Sequence, residues 1–281
     1  MASFRRARRS VASGAFTGFC WVVTAVALAA LALILWSLLV KGIGGIDQHT
    51  FTMDTPAAGS VGGLRNAIIG SIIMCGLAMV MAIVIGVLAG TWLAEYGRNS
   101  FYANLVRFLN DILLSAPSVL IGLFVYEFMV APFHGFSAVA GAFALALIAV
   151  PIITRTTEDV LKLQPTALRE AGVALGTPHW SAIRQILWKS AGSGILTGGL
   201  LAFARISGET APLLFTSLNE QFLNFNLTKE MASLPVVIFN DALSAYDDLV
   251  RLAWAGALII AVAVLGTNVL ARIITRERHP S

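Results

Sequence analysis

Charge is what this sequence has least of. Asp, Glu, Lys and Arg make up 12% of its 281 residues, about half the ~25% of an ordinary soluble domain. Hydrophobic residues make up 57%, and the mean hydropathy is +0.81. No polar stretch is long enough for a separate soluble domain, so the chain reads as an integral membrane protein. The two cysteines, Cys20 and Cys75, both lie in apolar segments. They read as buried or lipid-facing thiols, which excludes a disulfide framework or a thiolate metal site. No G-x-x-x-x-G-K-[ST] string occurs, so the chain carries no ATP-hydrolysing phosphate loop of its own. Metal-ligand spacing is missing, as is any Ser-His-Asp constellation. His134 and His179 have no ligand-spaced companions and read as ordinary residues. The basic loops lack interleaved aromatics, which argues against nucleic-acid binding.

What remains is apolar runs. A helix needs about 20 apolar residues to cross the hydrocarbon core. Six segments approach this: Phe19–Val40, Ala67–Leu93, Ile112–Val130, Ala138–Thr154, Gly192–Thr216 and Leu252–Ala271. The first follows a basic start, FRRARRS, yet its 22 residues exceed a secretory signal core of about 7–15; it reads as a retained helix. With the N-terminus placed in the cytoplasm, fourteen Lys and Arg fall on the inner side and four on the outer, Arg205 lying within a span. The inner set includes Arg5, Arg6, Arg8, Arg9, Arg98, Arg107, Arg155, Lys162, Arg169 and Arg278. That asymmetry predicts an all-α polytopic membrane protein with six transmembrane helices and both termini cytoplasmic. The outer loops are then Lys41–Arg65, a short one at Ala131–Phe136, and Ser217–Arg251, with a short interfacial helix expected near Asn240–Leu249. Gly194 and Gly198 in the fifth span permit close helix contact. Asp111 reads as a cap at the start of span three, and Glu127 as an interfacial carboxylate near its outer end.

Two stretches are more specific. The inner loop Arg155–Ser190 reads RTTEDVLKLQPTALREAGVALGTPHWSAIRQILWKS. Its apolar positions, Leu175 among them, predict a partly amphipathic helix that starts at Pro165 and is ended by Gly176. Thr177 as N-cap and Pro178 at the first position predict a second helix. A helix, a glycine break and a helix form a rigid element suited to docking. Glu170-Ala171-Gly172, three residues, Gly176, nine residues and Ile186 resemble the EAA loop of binding-protein-dependent ABC importer permeases. In that family the loop forms a coupling helix seated on an ATP-hydrolysing subunit. Gly172 replaces the usual alanine, a change expected to be minor, and Trp188-Lys189 replaces the usual Leu-Pro.

The second stretch is ARISGETAPLLF, Ala204–Phe215, inside span five. A mid-membrane charge costs about 2.5–3.5 kcal/mol on insertion scales, against about 0.3–0.6 returned by each Leu, Ile or Phe. Arg205 and Glu209 are spaced i, i+4 and can reach each other. Two readings stand: a self-neutralising ion pair, or a charge kept for use along a path. A guanidinium suits an oxyanion because its fork donates two parallel hydrogen bonds; Thr210 adds a hydroxyl, and Pro212 interrupts the helix.

ARISGETAPLLFTS, with SAPSVLIGLFVY (Ser115–Tyr126), resembles the permeases of phosphate-specific ABC importers over roughly Arg65–Arg272. The resemblance implies the type I ABC importer permease fold and a function in ATP-driven phosphate import. It divides the chain into a basic tail (1–18), a first helix and outer loop (19–64), a permease core (65–272) holding the coupling loop (155–190), and a second tail (273–281). It makes Arg205 and Glu209 functional positions and Glu170, Ala171, Gly172 and Gly176 the coupling residues. It implies as partners a second permease, two ATP-binding subunits that hold ATP and magnesium, and an extracytoplasmic phosphate-binding protein, in contact with membrane lipid. No cofactor is expected in this chain. One Arg does not balance a phosphate dianion, so an equivalent cation is expected from the partner permease. The rival expectations are a permease for another oxyanion, such as sulfate or molybdate, and a proton-coupled secondary carrier using Glu209.

Overall fold

The computed structural model describes residues 2–97, 100–174 and 176–276. Arg98, Leu175, Arg278 and most of the second tail therefore lie outside the described residues. Every regular element among those described is helical. Among the described residues four helices are long and apolar enough to cross a membrane unbroken, and two bent pairs make up to six if each pair is one span. The unbroken ones are α1 (Ala2–Gly45), α3 (Arg65–Trp92, continued by a π turn at Leu93–Gly97), α6 (Ala138–Lys162) and α13 (Asp247–Arg276). Between α1 and α3 lies the short α2 (Gln48–Thr52), with Asp47 and Thr50 closing a capping box at its start.

The third span is not the single helix Ile112–Val130 expected from hydropathy. α4 (Phe101–Ser115) and α5 (Ser118–Val125, with a π turn at Tyr126–Val130) meet at 106°. Pro117 is the cause. Proline disfavours helical backbone at the residue before it, and Ala116 is extended at φ −66°, ψ 135°. α4 presents Phe101, Tyr102, Phe108 and Leu109 outward and turns Arg107 and Asn110 inward. Arg107 Nε donates to Glu158 Oε1 at 2.8 Å, and Asn110 Nδ2 to the Pro151 carbonyl at 3.2 Å. Asp111 sits mid-helix and faces Arg155 at 3.7 Å, so it is no cap.

The fourth span also departs from expectation. The apolar run predicts an end at Thr154, yet α6 continues two turns further, to Lys162. The charges there are absorbed by pairing: Arg155 with Asp159, and Lys162 with Glu158 at 2.5 Å. α6 is the centre of the molecule, with Leu145, Ala149, Ile153 and Leu161 almost wholly buried. α1, in contrast, buries none of its apolar stretch within the chain.

The loop after α6 folds into α7 (Thr166–Ala174), α8 (His179–Ala182, then a π turn at Ile183–Leu187) and α9 (Trp188–Ser190). Gly176, at φ +71°, stops α7, and the Thr177 N–H bonds back to the Gly172 carbonyl. Pro178, not Thr177, is the N-cap of α8. Proline's extended backbone shifts the helix start to His179. A 72° bend then leads into α10 (Gly192–Ser207). Here Gly194 and Gly198 do what their spacing predicts: a Cβ on either would stand 2.5 Å from Val160 or Thr156 side-chain atoms of α6.

The fifth span ends at Ser207 and restarts as α11 (Ala211–Thr216). The break precedes Pro212, which sits in the first turn of α11, where a missing N–H costs nothing. The loop helix expected at Asn240–Leu249 lies earlier, as α12 (Leu234–Ala242). It packs into the core through Pro235, Val236 and Val237. Loops 53–64 and 218–230 are tied together beside α12. Asp54 accepts from Arg65 Nε at 2.9 Å and from the Leu223 N–H, and Asn66 Nδ2 donates to the Glu220 and Gln221 carbonyls. The Arg65 hydrogen bond holds the Asp54 carboxyl below the usual carboxylate range.

Candidate functional site

Two groups of polar residues interrupt the apolar bundle, one midway along it and one at the end formed by residues 155–190. The first is built where α10 stops. α10 runs antiparallel to α6, with Gly194 against Val160 and Gly198 against Thr156. Continuing that register sets Arg205 level with Ala149, near the middle of α6. Glu209 lies past the helix end, in the break, and its N–H reaches the Ile206 carbonyl at 3.2 Å. Arg205 Nη1 stands 2.5 Å from Glu209 Oε1. The contact brings the charges together without hydrogen-bond alignment, so this buried oxygen is left without a hydrogen-bonded donor.

The pair is lopsided. The Glu209 side chain is 6% exposed and the Arg205 side chain 57%. The carboxylate is held inside the fold while the guanidinium leans out of it, keeping N–H groups free of protein. Thr210 sits between them and the next helix, its carbonyl accepting from the Leu213 and Leu214 N–H groups at the start of α11. All three residues expected from the sequence thus lie at one helix break. Chemically the arrangement is an anchored cation with spare donors, suited to an anion arriving from outside this chain's own core. An apolar cleft between α3, α10 and α13, lined by Ser71, Cys75, Phe203, Ser207, Leu234 and Val264, adjoins the same helix but does not include Arg205.

The second group surrounds α7. Glu170 and Ala171 are exposed, Gly172 is buried and Gly176 is exposed. Glu170 and Ala171 thus form an outer surface, while Gly172 faces inward. A Cβ on Gly172 would stand 2.9 Å from Ala182 Cβ and 3.3 Å from Ile186 Cδ1. Its lack of a side chain is therefore not a minor departure: it sets how closely α7 packs on α8. Trp188, the other departure, donates through its indole N–H to Thr91 Oγ1 at 3.1 Å and ties α9 to α3.

Sequence reasoning assigned Arg107 and Arg169 only to membrane orientation and passed over Glu95 and Glu158. The structure pairs them at this end, Arg107 with Glu158 and Arg169 with Glu95. Arg169 makes a two-pronged ion pair with Glu95, Nη2 to Oε1 at 2.7 Å and Nε to Oε2 at 3.0 Å. The hydrogen bond to Glu95 raises the Arg169 guanidinium further above its ordinary range. A local signal existed: Glu95 is a lone carboxylate at the edge of a long apolar run. Its partner, 74 positions away, had none.

The family described as "Binding-protein-dependent transport system inner membrane component" matches residues 82–279, from the second half of α3 onward. A protein of Haemophilus influenzae named "Phosphate transport system permease protein PstA" is 51% identical over 261 residues, 93% of each chain. A protein of the same name from Yersinia pestis is 53% identical over 248 residues, 88% of this chain and 84% of that one. Among solved structures, one described as "Inward facing conformations of the MetNI methionine ABC transporter" aligns with a TM-score of 0.64 at 18% identity. It covers 77% of this chain and 96% of its own. At that identity the likeness is one of fold, the type I importer permease fold, and α6 with its flanking helices is its centre here.

Proposed function

From the premise that the chain belongs to the binding-protein-dependent transport system inner membrane component family, we propose how it works as a permease of an ATP-driven phosphate importer in a bacterial inner membrane. The observation that carries this reading is the lopsided pair at the α10 break: a guanidinium turned away from its own fold and anchored behind by a buried carboxylate. Identity above 50% to phosphate permeases over most of the chain supports phosphate as the cargo.

In this mechanism both termini and residues 155–190 face the cytoplasm. The surface of Glu170, Ala171 and Gly176 seats on an ATP-binding subunit, which holds ATP and magnesium. The paired loops around Asp54 and Leu223 face outward, where a phosphate-binding protein delivers its ligand. A second permease closes the path beside α10 and contributes another cation, since one guanidinium leaves a dianion half compensated. Phosphate reaching the break exchanges its hydration for the Arg205 fork and the Thr210 hydroxyl. Glu209 keeps the guanidinium in place when the path is empty. Alternating access comes from the ATP-binding subunits rocking the two permeases against one another.

The test uses the whole complex in proteoliposomes. Arg205→Ala should abolish phosphate uptake, a loss of at least about 100-fold for a charge-assisted contact to a dianion, while all subunits still copurify. The variant carrying Arg205→Gln and Glu209→Gln, which leaves no uncompensated carboxylate, should do the same. Loss of assembly in both would make the pair structural. ATP hydrolysis stimulated by sulfate or molybdate but not phosphate would move the cargo to another oxyanion. Proton-driven uptake without ATP-binding subunits, lost in Glu209→Gln, would make the protein a secondary carrier.

A further inference from the structure

The loop that docks must also pull on something. We propose that the Glu95–Arg169 ion pair is the strut through which movement of α7 reaches α3, making both positioning residues for transport. The inference rests on the permease reading above.

Geometry singles out this pair. Glu95 lies in the π turn that ends α3, and its side chain is 3% exposed. Arg169 sits one residue before Glu170, on the same helix as the exposed docking surface. Besides its two-pronged bond to Glu95, it donates to the Leu161 carbonyl at 2.8 Å and to the Gln164 carbonyl at 2.8 Å. One guanidinium therefore fastens the last residues of α6, the docking helix and the end of α3. The other half of the loop grips the same stretch of α3. His179 sets its ring edge-on to Tyr96 with centroids 5.2 Å apart, and Trp188 bonds Thr91. Residues 91–96 are thus held from both sides by the one segment that faces the ATP-binding subunit.

The chemistry suits a strut more than a glue. A buried ion pair adds little net stability over apolar side chains of the same volume. What it adds is direction: two parallel hydrogen bonds fix both the distance and the angle between the helices. The receiving element is a π turn, which holds one more residue than an α turn and is a common site of functional adjustment. A push on Arg169 can be taken up there as a change in winding and passed along α3, whose other face packs on α6.

The experiment measures phosphate taken up per ATP hydrolysed by the complete importer with its loaded binding protein. Glu95→Gln should lower this ratio about tenfold, with ATP-binding subunits still copurifying and hydrolysis within about twofold of the parent. Arg169→Lys, which keeps the charge but loses the fork, should lower it in the same way. The double variant should lose no more than either alone, as expected when two residues act as one unit. Uptake and hydrolysis falling in proportion would overturn the strut, as would an unchanged ratio or losses that multiply. A second readout is independent of the cargo. With Cys20 and Cys75 replaced by Ser, a spin label at exposed Val84 on α3 should change its distance to the partner permease on ATP binding. In Glu95→Gln that change should disappear while ATP is still turned over; its persistence would overturn the strut. A parent complex that shows the ATP-driven shift yet ignores phosphate would defeat the cargo assignment and leave the strut standing.

Discussion

The charges at the docking end and the charges at the α10 break are both buried in part, yet they are wired differently. At the docking end, pairs bridge elements distant in sequence: Arg107 to Glu158 across 51 residues and Arg169 to Glu95 across 74. Their carboxylates are 2% and 3% exposed and their arginines 19% and 24%. At the break, Arg205 and Glu209 are four residues apart, and the arginine is more than half exposed. A pair that bridges two helices fixes their relative position. A pair closed within one helix end fixes nothing but its own side chain, and leaves its outer member open to exchange partners. On the functional reading proposed above, transmission belongs to the bridging pairs and recognition to the open one, and the two kinds of wiring suit those two tasks.

The sharpest way to break this comparison is thermal. Glu158→Ala removes a carboxylate shared by Arg107 and Lys162 and takes an ion-pair partner from the mostly buried Arg107 guanidinium. Removing one partner of a buried pair costs about 3–5 kcal/mol, so the melting temperature in detergent should fall steeply. The double glutamine variant at Arg205 and Glu209 should shift stability by no more than about 1 kcal/mol, although it ends transport. If the two sets destabilise equally, the proposed division between bridging and open pairs is wrong.

Much of this was legible in the sequence, for local reasons. Hydropathy located the four unbroken spans and the two bent pairs, because an apolar stretch is a property of neighbours in the chain. Gly194 and Gly198, the Gly176 stop and the Arg205–Glu209 contact likewise depend on spacings of four residues or fewer, or on one residue's backbone. The misses have physical causes too. α6 overran Arg155 because charges on a helix surface are tolerated when opposite charges lie one turn away or on a neighbouring helix, and a count of apolar residues cannot see the partner. The α4–α5 break was in reach, since Pro117 disfavours helical backbone at Ala116, but the apolar run hid it. The Arg169–Glu95 strut was out of reach, because nothing in either neighbourhood names the other.

A carboxylate with no cation partner sharpens the comparison from a third position. Asp241 of α12 is 8% exposed, its Oδ2 lacks a hydrogen-bond partner, and burial, reinforced by the negative charge of Asp248, pushes its carboxyl up to about 6. A native carboxyl titrating above its unfolded value of 3.8 binds its proton more tightly when folded. Its contribution to stability is complete below about pH 4 and is lost as pH rises through about 6. At pH 7.5 the folded protein therefore holds an unpaired buried charge. Asp241→Asn should raise stability there by about 2 kcal/mol, with the gain over the parent shrinking on acidification toward pH 4. Melting curves across that range check it, and a gain independent of pH would place the effect elsewhere.

The smallest expected effect concerns the docking helix itself. Gly172→Ala restores the residue usual in this family and should favour α7 by up to about 1 kcal/mol, since alanine loses less backbone freedom than glycine in a helix. The added Cβ, however, meets Ala182 Cβ at 2.9 Å, closer than packed carbons tolerate, and Ile186 Cδ1 at 3.3 Å. The isoleucine can rotate, but a methyl fixed to the α8 backbone cannot. The two terms oppose, so melting should move by less than about 1 kcal/mol, while α7 is displaced from α8 by a few tenths of an ångström. A strut that depends on a fixed angle between Arg169 and Glu95 should register that displacement as a loss of up to about threefold in phosphate carried per ATP, with copurification of the ATP-binding subunit unaffected. A loop that merely docked would show the stability term alone, so this near-silent substitution separates the two roles more cleanly than a change that unfolds the loop.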